Sequence, residues 1–406
     1  GHIDFGEGEE TVGILGHLDV VPAGSGWDNE PYGAEETDGY IIGRGTTDDK
    51  GPLVAAFYAM KALKDAGYER HRKIRLILGL DEETGWKGIE YYFDKVEAPT
   101  FGITPDADFP VINGEKGIMF FELARKFSKG PSGGLQLSRL SGGEAPNMVP
   151  GSARAVIRSD VKNAYEKIKE KIAALREAEG YTVKTKGVGK SLEITCEGVA
   201  CHGAVPEKGL NAISILMRLL GELNFANEEV NEFIDFYNKH IGFNLDGSRI
   251  GIGFSDEKSG RLSLNNGIIS YDRDSISINV NVRYPVSCDS EKVYEGMTPV
   301  LDSYGIGVVK MIDLEPLYFN PEGKLIETLM EVYREETGDK VNGPLVIGGG
   351  TYARACPNIV AFGGLFPGDP DVMHQKNEKL SIERFNQMID IYAKALYRLT
   401  QEEFSI

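Results

Sequence analysis

Residues 11–18, TVGILGHL, form an almost unbroken apolar run that ends on a histidine and leads straight to Asp19. The acidic turn GEGEE precedes it and the breaker VPAGSG follows. A short run without polar alternation predicts a strand buried on both faces. Farther on, Leu53, Ala56, Phe57, Met60 and Leu63 recur at helical spacing. Pro52 suits a first turn and Gly67 the position just past the end, so an amphipathic helix is expected there. Residues 73–80, KIRLILGL, read as a second strand running into DEETG, and residues 101–104 as a third running into PDAD. Strand, helix and strand in this succession imply a parallel α/β sheet. Ligands of such sheets sit beyond the carboxyl ends of the strands, where His17, Asp19, Glu82, Glu83 and Asp106 all fall.

From about residue 115 the pattern changes. In residues 275–282, Ile276, Ile278, Val280 and Val282 alternate with Ser277, Asn279 and Asn281, and Arg283 continues the polar set. That is the signature of an antiparallel sheet with one polar face, which helices over 161–178 and 209–223 would cover on the other. Residues 116–315 are therefore expected as a separate α+β domain. The tail returns to α/β character, with a helix over 323–336 and a short strand over 358–362. A last helix, 381–399, carries Phe385, Met388, Ile389, Tyr392, Leu396 and Leu399 on one stripe. Residues 1–115 and 316–406 are read as one discontinuous domain interrupted by the middle one. No internal repeat is evident, although the middle segment leaves room for a diverged duplication.

A chain of 406 residues with 41% apolar content can build two or three packed domains and has no disorder signature. Its formal charge of −18, from 62 acids against 44 bases, gives no electrostatic reason to expect nucleic acid or an anionic membrane as partner. No apolar run approaches the roughly 18 to 20 residues that span a bilayer. Cys196, Cys201, Cys288 and Cys356 lack CxxC spacing, so free thiols in a reducing, cytoplasmic compartment are expected. The chain opens at Gly1 inside a strand-and-turn pattern, without an initiator Met or a signal-like region. A preceding segment is therefore expected to be missing.

Candidate chemistry lies in five residues: His17 in GHLD, Asp48 in GRGTTDDKG, Glu83 in DEETG, Asp106 in PDAD and His374 in VMHQKNE. Two imidazoles with three carboxylates suit Zn, Co or Mn better than Ca or Mg, which avoid nitrogen donors. One metal with five protein ligands would leave little room for chemistry. Two metals about 3.5 to 4 Å apart, sharing a carboxylate and a water, use all five and keep open positions. Glu82 remains as a base that takes a proton from that water and returns it to a leaving amine. Asp19, two residues past His17, can hold the imidazole in the tautomer that frees its other nitrogen. Each element alone reads equally well as a solvated loop or helix start. What distinguishes them is that separate segments deliver them to one edge of one sheet.

GHLDVVPAG, GRGTTDDKGP, DEETGWKG, TPDADFPV, GGEAPNMVPG, INVNVRYP, IGGGTYAR and MHQKNE resemble, in order, the motifs of PepV-type dinuclear zinc dipeptidases. These sit within the larger aminoacylase, carnosinase and carboxypeptidase G group. The resemblance implies an aminopeptidase-like zinc catalytic domain with an inserted lid domain. By it, His17 and Asp106 bind one Zn2+, Glu83 and His374 a second, and Asp48 bridges them, with Asp49 as the rival bridge. Mn2+ or Co2+ would also fit. Glu82 is the general base and Asp19 the orienter of His17. In the lid, His202 resembles a donor to the developing oxyanion, Asn147 a polar substrate contact, and Arg283 the clamp on a substrate carboxylate. Gly348, Gly349, Gly350 and Thr351 resemble a substrate loop whose amides come close.

The expectation is hydrolysis of dipeptides with free termini, the substrate entering between the domains and the lid closing on it. Smaller-lid relatives borrow the lid histidine from a partner subunit, and a longer lid can supply it in one chain, so a monomer is expected. The alternatives are an N-acyl amino acid deacylase with the same centre and a non-catalytic peptide-binding or metal-storage protein. Glu82 speaks against the last, since a binder needs no spare base.

Overall fold

In the computed structural model, which describes residues 1–128, 130 and 133–406, the apolar run is the strand Thr11–His17, buried at every position. Val12 and Ile14 pack into one core with Leu53, Ala56, Met60, Leu396 and Leu399 of two helices. Leu15 faces the opposite core with Ile77, Ile89, Tyr352 and Ile359. Two apolar layers on one strand explain why its sequence does not alternate.

Contacts divide the chain into two units, Gly1–Glu115 with Leu317–Ile406, and Lys116–Pro316. In the first, strands lie in the order His2–Phe5, Lys73–Gly79, Thr11–His17, Phe101–Thr104, Ile359–Ala361, Ile112–Glu115 and Leu317–Tyr318, with Leu345–Ile347 also pairing on Ile112–Glu115. The four from Lys73–Gly79 to Ile359–Ala361 are parallel neighbours. His2–Phe5 adds an antiparallel edge. The helix Lys50–Asp65 packs on the last helix, Ile382–Leu399, which also packs on Lys324–Thr337. On Lys50–Asp65 the buried face is Pro52, Leu53, Ala55, Ala56, Ala59 and Met60, whereas Phe57, expected on that stripe, is exposed. The buried face is richer in small residues than the expected stripe, and the bulky ring is left outside.

Within the second unit, eight strands form one antiparallel sheet. Their order is Thr182–Val188, Ser191–Glu197, Ser152–Ser159, Leu135–Gly142, Ser263–Tyr271, Ser275–Tyr284, Gly117–Lys126 and Gly307–Leu314. Each half contains the run strand, strand, helix, strand, with Ala164–Glu179 as the helix of one and Ser290–Ser303 of the other; the fourth strand is Ser191–Glu197, directly after that run, in the first half and Gly117–Lys126, far before it, in the second. The halves meet in mirror order where Leu140 pairs with Tyr271 and Gly142 with Ile269. Ile276, Ile278, Val280 and Val282 face the core, while Ser277 and Asn279 are half-buried on the other face. Asn281 and Arg283, at the end of the same polar set, are buried. The helix Ala212–Leu220, apolar nearly all round, is buried nearly all round, and Asn211 caps it by accepting from the amides of Ile213 (2.9 Å) and Ser214 (3.2 Å). Among the described residues no helix is long and apolar enough to cross a membrane.

Candidate metal centre

The exits of the parallel strands carry His17, Glu82, Glu83 and Asp106, and the segment entering the helix Lys50–Asp65 carries Asp48. His17, the last residue of its strand, is fully buried. Its Nδ1 lies 2.9 Å from the main-chain carbonyl oxygen of Asp19. A carbonyl only accepts, so Nδ1 carries the proton and Nε2 turns a lone pair inward. That lone pair meets Asp48 Oδ1 at 3.0 Å and Asp106 Oδ2 at 3.6 Å. Lone pair against carboxylate is repulsive unless a proton or a cation lies between.

Asp48 presents its second oxygen to the other histidine. Its Oδ2 is 2.8 Å from His374 Nε2, which also lies 3.3 Å from Glu83 Oε2. Two donor groups result, His17 with Asp48 and Asp106, and Asp48 with Glu83 and His374, each with donor atoms within 4.8 Å of one another. Asp48 belongs to both. Asp49 does not take that position: its Oδ2 accepts from the His17 amide at 3.1 Å, tying the helix start to the strand end. Gly16 makes the approach possible, because a Cβ there would stand 2.5 Å from Asp49 Oδ2 and from Leu53 Cδ1.

Electrostatics favour positive charge at this point. Burial opposes charging His17, yet the carboxylates of Asp106 and Asp48 outweigh it and hold the imidazole well above its ordinary pKa. Asp48 and Glu83 push His374 up to about 10. Asp106 and Asp49 are raised by burial and by neighbouring carboxylates. Burial and the charge of Asp106 push Glu82 up to about 9. Among the described residues, Asp49 Oδ1 and Glu83 Oε1 are buried with no hydrogen-bond partner. An excess of buried carboxylate, orphaned acceptors and two imidazole Nε2 atoms aimed at those carboxylates fit an N/O-binding divalent cation such as Zn2+, Mn2+ or Co2+.

Asp19 faces His17 with both its carbonyl and its carboxylate. Its carbonyl, not its carboxylate, is the close partner of His17; the carboxylate Oδ1 stands at 3.6 Å from Nδ1. The other carboxylate oxygen accepts from the Glu83 amide at 3.2 Å, so the side chain orients a second candidate ligand. Thr351 is buried, and its hydroxyl donates to Glu115 Oε1 (2.7 Å). In the loop 348–351, Gly348, Gly349 and Gly350 have only main chain to offer. Sequence reasoning missed Tyr352, whose ring packs edge-on to His17 and whose hydroxyl donates to the Leu80 carbonyl (3.1 Å). It also missed Glu378, although that residue closes the quoted MHQKNE stretch.

His202, Asn147 and Arg283 belong to the second unit. His202 pairs with Met148 in a two-stranded ribbon, and the Gly203 amide donates to the Asn147 carbonyl at 2.6 Å. His202 Nδ1 accepts from the Ala204 amide (3.3 Å), so the neutral ring carries its proton on Nε2. Buried Asn265 holds this ribbon by donating to the carbonyls of Met148 (2.8 Å) and Pro146 (3.3 Å). Arg283 stands opposite Ser263, whose hydroxyl donates to the Ala204 carbonyl at 3.4 Å, so all three expected residues share one end of the sheet. Arg283 Nε donates to Asn281 Oδ1 (3.3 Å).

Comparison with known proteins adds a lineage. A Staphylococcus haemolyticus protein, provisionally named a dipeptidase, is 37% identical over 410 residues, 99% of this chain and 86% of the relative. A Staphylococcus aureus protein so named is 37% identical over 409 residues, with the same coverage. Among solved structures, aminoacylhistidine dipeptidase from Vibrio alginolyticus superposes with a TM-score of 0.56 at 16% identity, over 99% of this chain and 88% of that one. Human carnosine dipeptidase 1 superposes with a TM-score of 0.54 at 16% identity, over 98% and 82%. At such identity these two show the fold: an α/β domain with an inserted domain. The model of peptidase family M20/M25/M40 matches residues 13–398, nearly the whole chain. The chain belongs to peptidase family M20/M25/M40.

Proposed function

We propose that this protein is a metal-dependent dipeptidase acting on dipeptides with free termini. The observation that carries the reading is Asp48, whose two oxygens face the two histidines so that a pair of three-residue donor groups shares it. The dipeptidase names of relatives at 37% identity support the substrate class. His17, Asp48 and Asp106 would hold one divalent cation, and Asp48, Glu83 and His374 a second. Bound there, such cations, zinc by preference, supply Lewis acidity toward a carbonyl oxygen and a water, and the positive charge that lowers Glu82 into the range of a general base.

Glu82 takes the proton of the attacking water and hands it to the departing amine. The Asp19 carbonyl keeps His17 in the tautomer with Nε2 unprotonated. We assign the second unit the role of a lid. The Nε2–H of His202 donates a hydrogen bond to the developing oxyanion, Arg283 receives the substrate carboxylate and Asn147 adds a polar contact. The amides of Gly349 and Gly350 line the substrate. All four cysteines are free thiols, which supports a reducing, cytoplasmic setting.

The test is metal analysis coupled to a substrate panel. The wild type is expected to bind two cations per chain and to cleave Xaa-Xaa dipeptides in preference to N-acetyl or N-succinyl amino acids. Preferential cleavage of the blocked compounds would turn the reading to a deacylase. Glu82→Ala is expected to keep its metal and lose ~10²–10⁴-fold in turnover; wild-type turnover in that variant would remove Glu82 as the base.

A further inference from the structure

We propose that Glu378 is a positioning residue for the metal pair, acting through the main chain of residues 45–48. The inference rests on the two-cation reading above. Glu378 is fully buried and lies four residues beyond His374 in sequence. Its Oε1 accepts from the amides of Thr47 (2.8 Å), Gly45 (3.1 Å) and Asp48 (3.2 Å), and its Oε2 accepts from Arg44 Nη1 at 2.7 Å. One carboxylate therefore satisfies three amides of an irregular loop and neutralises the guanidinium that precedes them.

The location gives this carboxylate its purpose. The strand Tyr40–Ile42 pairs with Lys379–Ser381, and the pairing stops at Ile42 opposite Lys379. Beyond it the Gly43 amide donates to the Glu378 carbonyl (2.9 Å), and from Gly45 onward the carboxylate takes over as acceptor. Glu378 thus continues a sheet where its ladder ends, up to the residue whose carboxylate faces both histidines. Asp48 has to present one oxygen to His17 and the other to His374, and a shift of its main chain would favour one donor group over the other. The same residue anchors the segment that brings in His374. Among the described residues, no other side chain accepts from the amides of Gly45, Thr47 and Asp48.

Co2+ titration followed by visible absorption, with hydrogen exchange over residues 43–50 of the metal-free protein, tests this. Glu378→Gln keeps the volume but cannot accept from the amides and from Arg44 at once. It is expected to show an altered Co2+ band, affinity for at least one ion weakened about 10- to 100-fold, and faster exchange in that peptide. Leu329→Ala, a cavity in the core of the same unit, controls for lost stability and is expected to leave the band unchanged. Glu378→Asp keeps the charge beside Arg44 but draws the carboxylate back. It carries the same expectation should the glutamine variant not fold. A variant with the wild-type band, affinity and local exchange would overturn the positioning role alone. A wild type that binds no Co2+ would overturn it together with the two-cation reading.

Discussion

Gly16 stands where a strand end and a helix start approach closely beside the candidate centre. The Asp49 carboxylate and the Leu53 side chain would each lie 2.5 Å from a Cβ there. Gly16→Ala is expected to cost about 1–3 kcal/mol by overpacking, read from urea unfolding. It should also speed exchange of the His17 amide, which donates to Asp49. A second residue-scale prediction concerns Asp256. Burial raises its pKa, but four hydrogen bonds, from the amide and hydroxyl of Ser259 and of Ser287, outweigh it and bring it to about 2, against 3.8 for the free side chain. A lowered folded pKa means that the contribution is complete above about pH 4 and fades as pH falls toward 2. The stability advantage of wild type over Asp256→Asn, from denaturant curves at several pH values, is expected to shrink over that window. An advantage unchanged down to pH 2 would refute the assignment.

Elements follow from sequence where packing leaves one choice. The last helix buries Met388, Tyr392, Leu396 and Leu399, and these are positions that its periodicity marks. Leu396→Ala is expected to cost about 2–5 kcal/mol as a cavity in a core shared with Lys50–Asp65 and Lys324–Thr337. Phe57→Ala on the exposed side of Lys50–Asp65 is expected to cost much less in the same urea experiment. Periodicity marked an arc through Phe57, whereas the folded helix buries one through Ala55 and Ala59. Only the packing of the folded unit selects the small residues. The eight-stranded sheet is a similar case. Strands such as Ser275–Tyr284 are legible one by one from their alternation, but the seam between Leu135–Gly142 and Ser263–Tyr271 joins segments with no local signal for each other.

For the whole molecule, the expectation is a monomer. The second unit builds eight strands within one chain, in two halves of like arrangement, and carries its own His202. Light scattering on sized protein is expected to return the mass of one chain, 44.5 kDa; a stable dimer would overturn it. Residue type and position by themselves determined the α/β character, the interruption near residue 116 and the five candidate ligands, because few side chains bind such cations and strand exits concentrate them. They could not tell which oxygen of Asp48 meets which histidine, that the Asp19 carbonyl rather than its carboxylate holds His17, or that Glu378 carries the loop before Asp48. Those facts depend on main-chain groups, which every residue possesses alike, and on partners up to 334 positions apart. Local pattern has no access to them until the chain has folded.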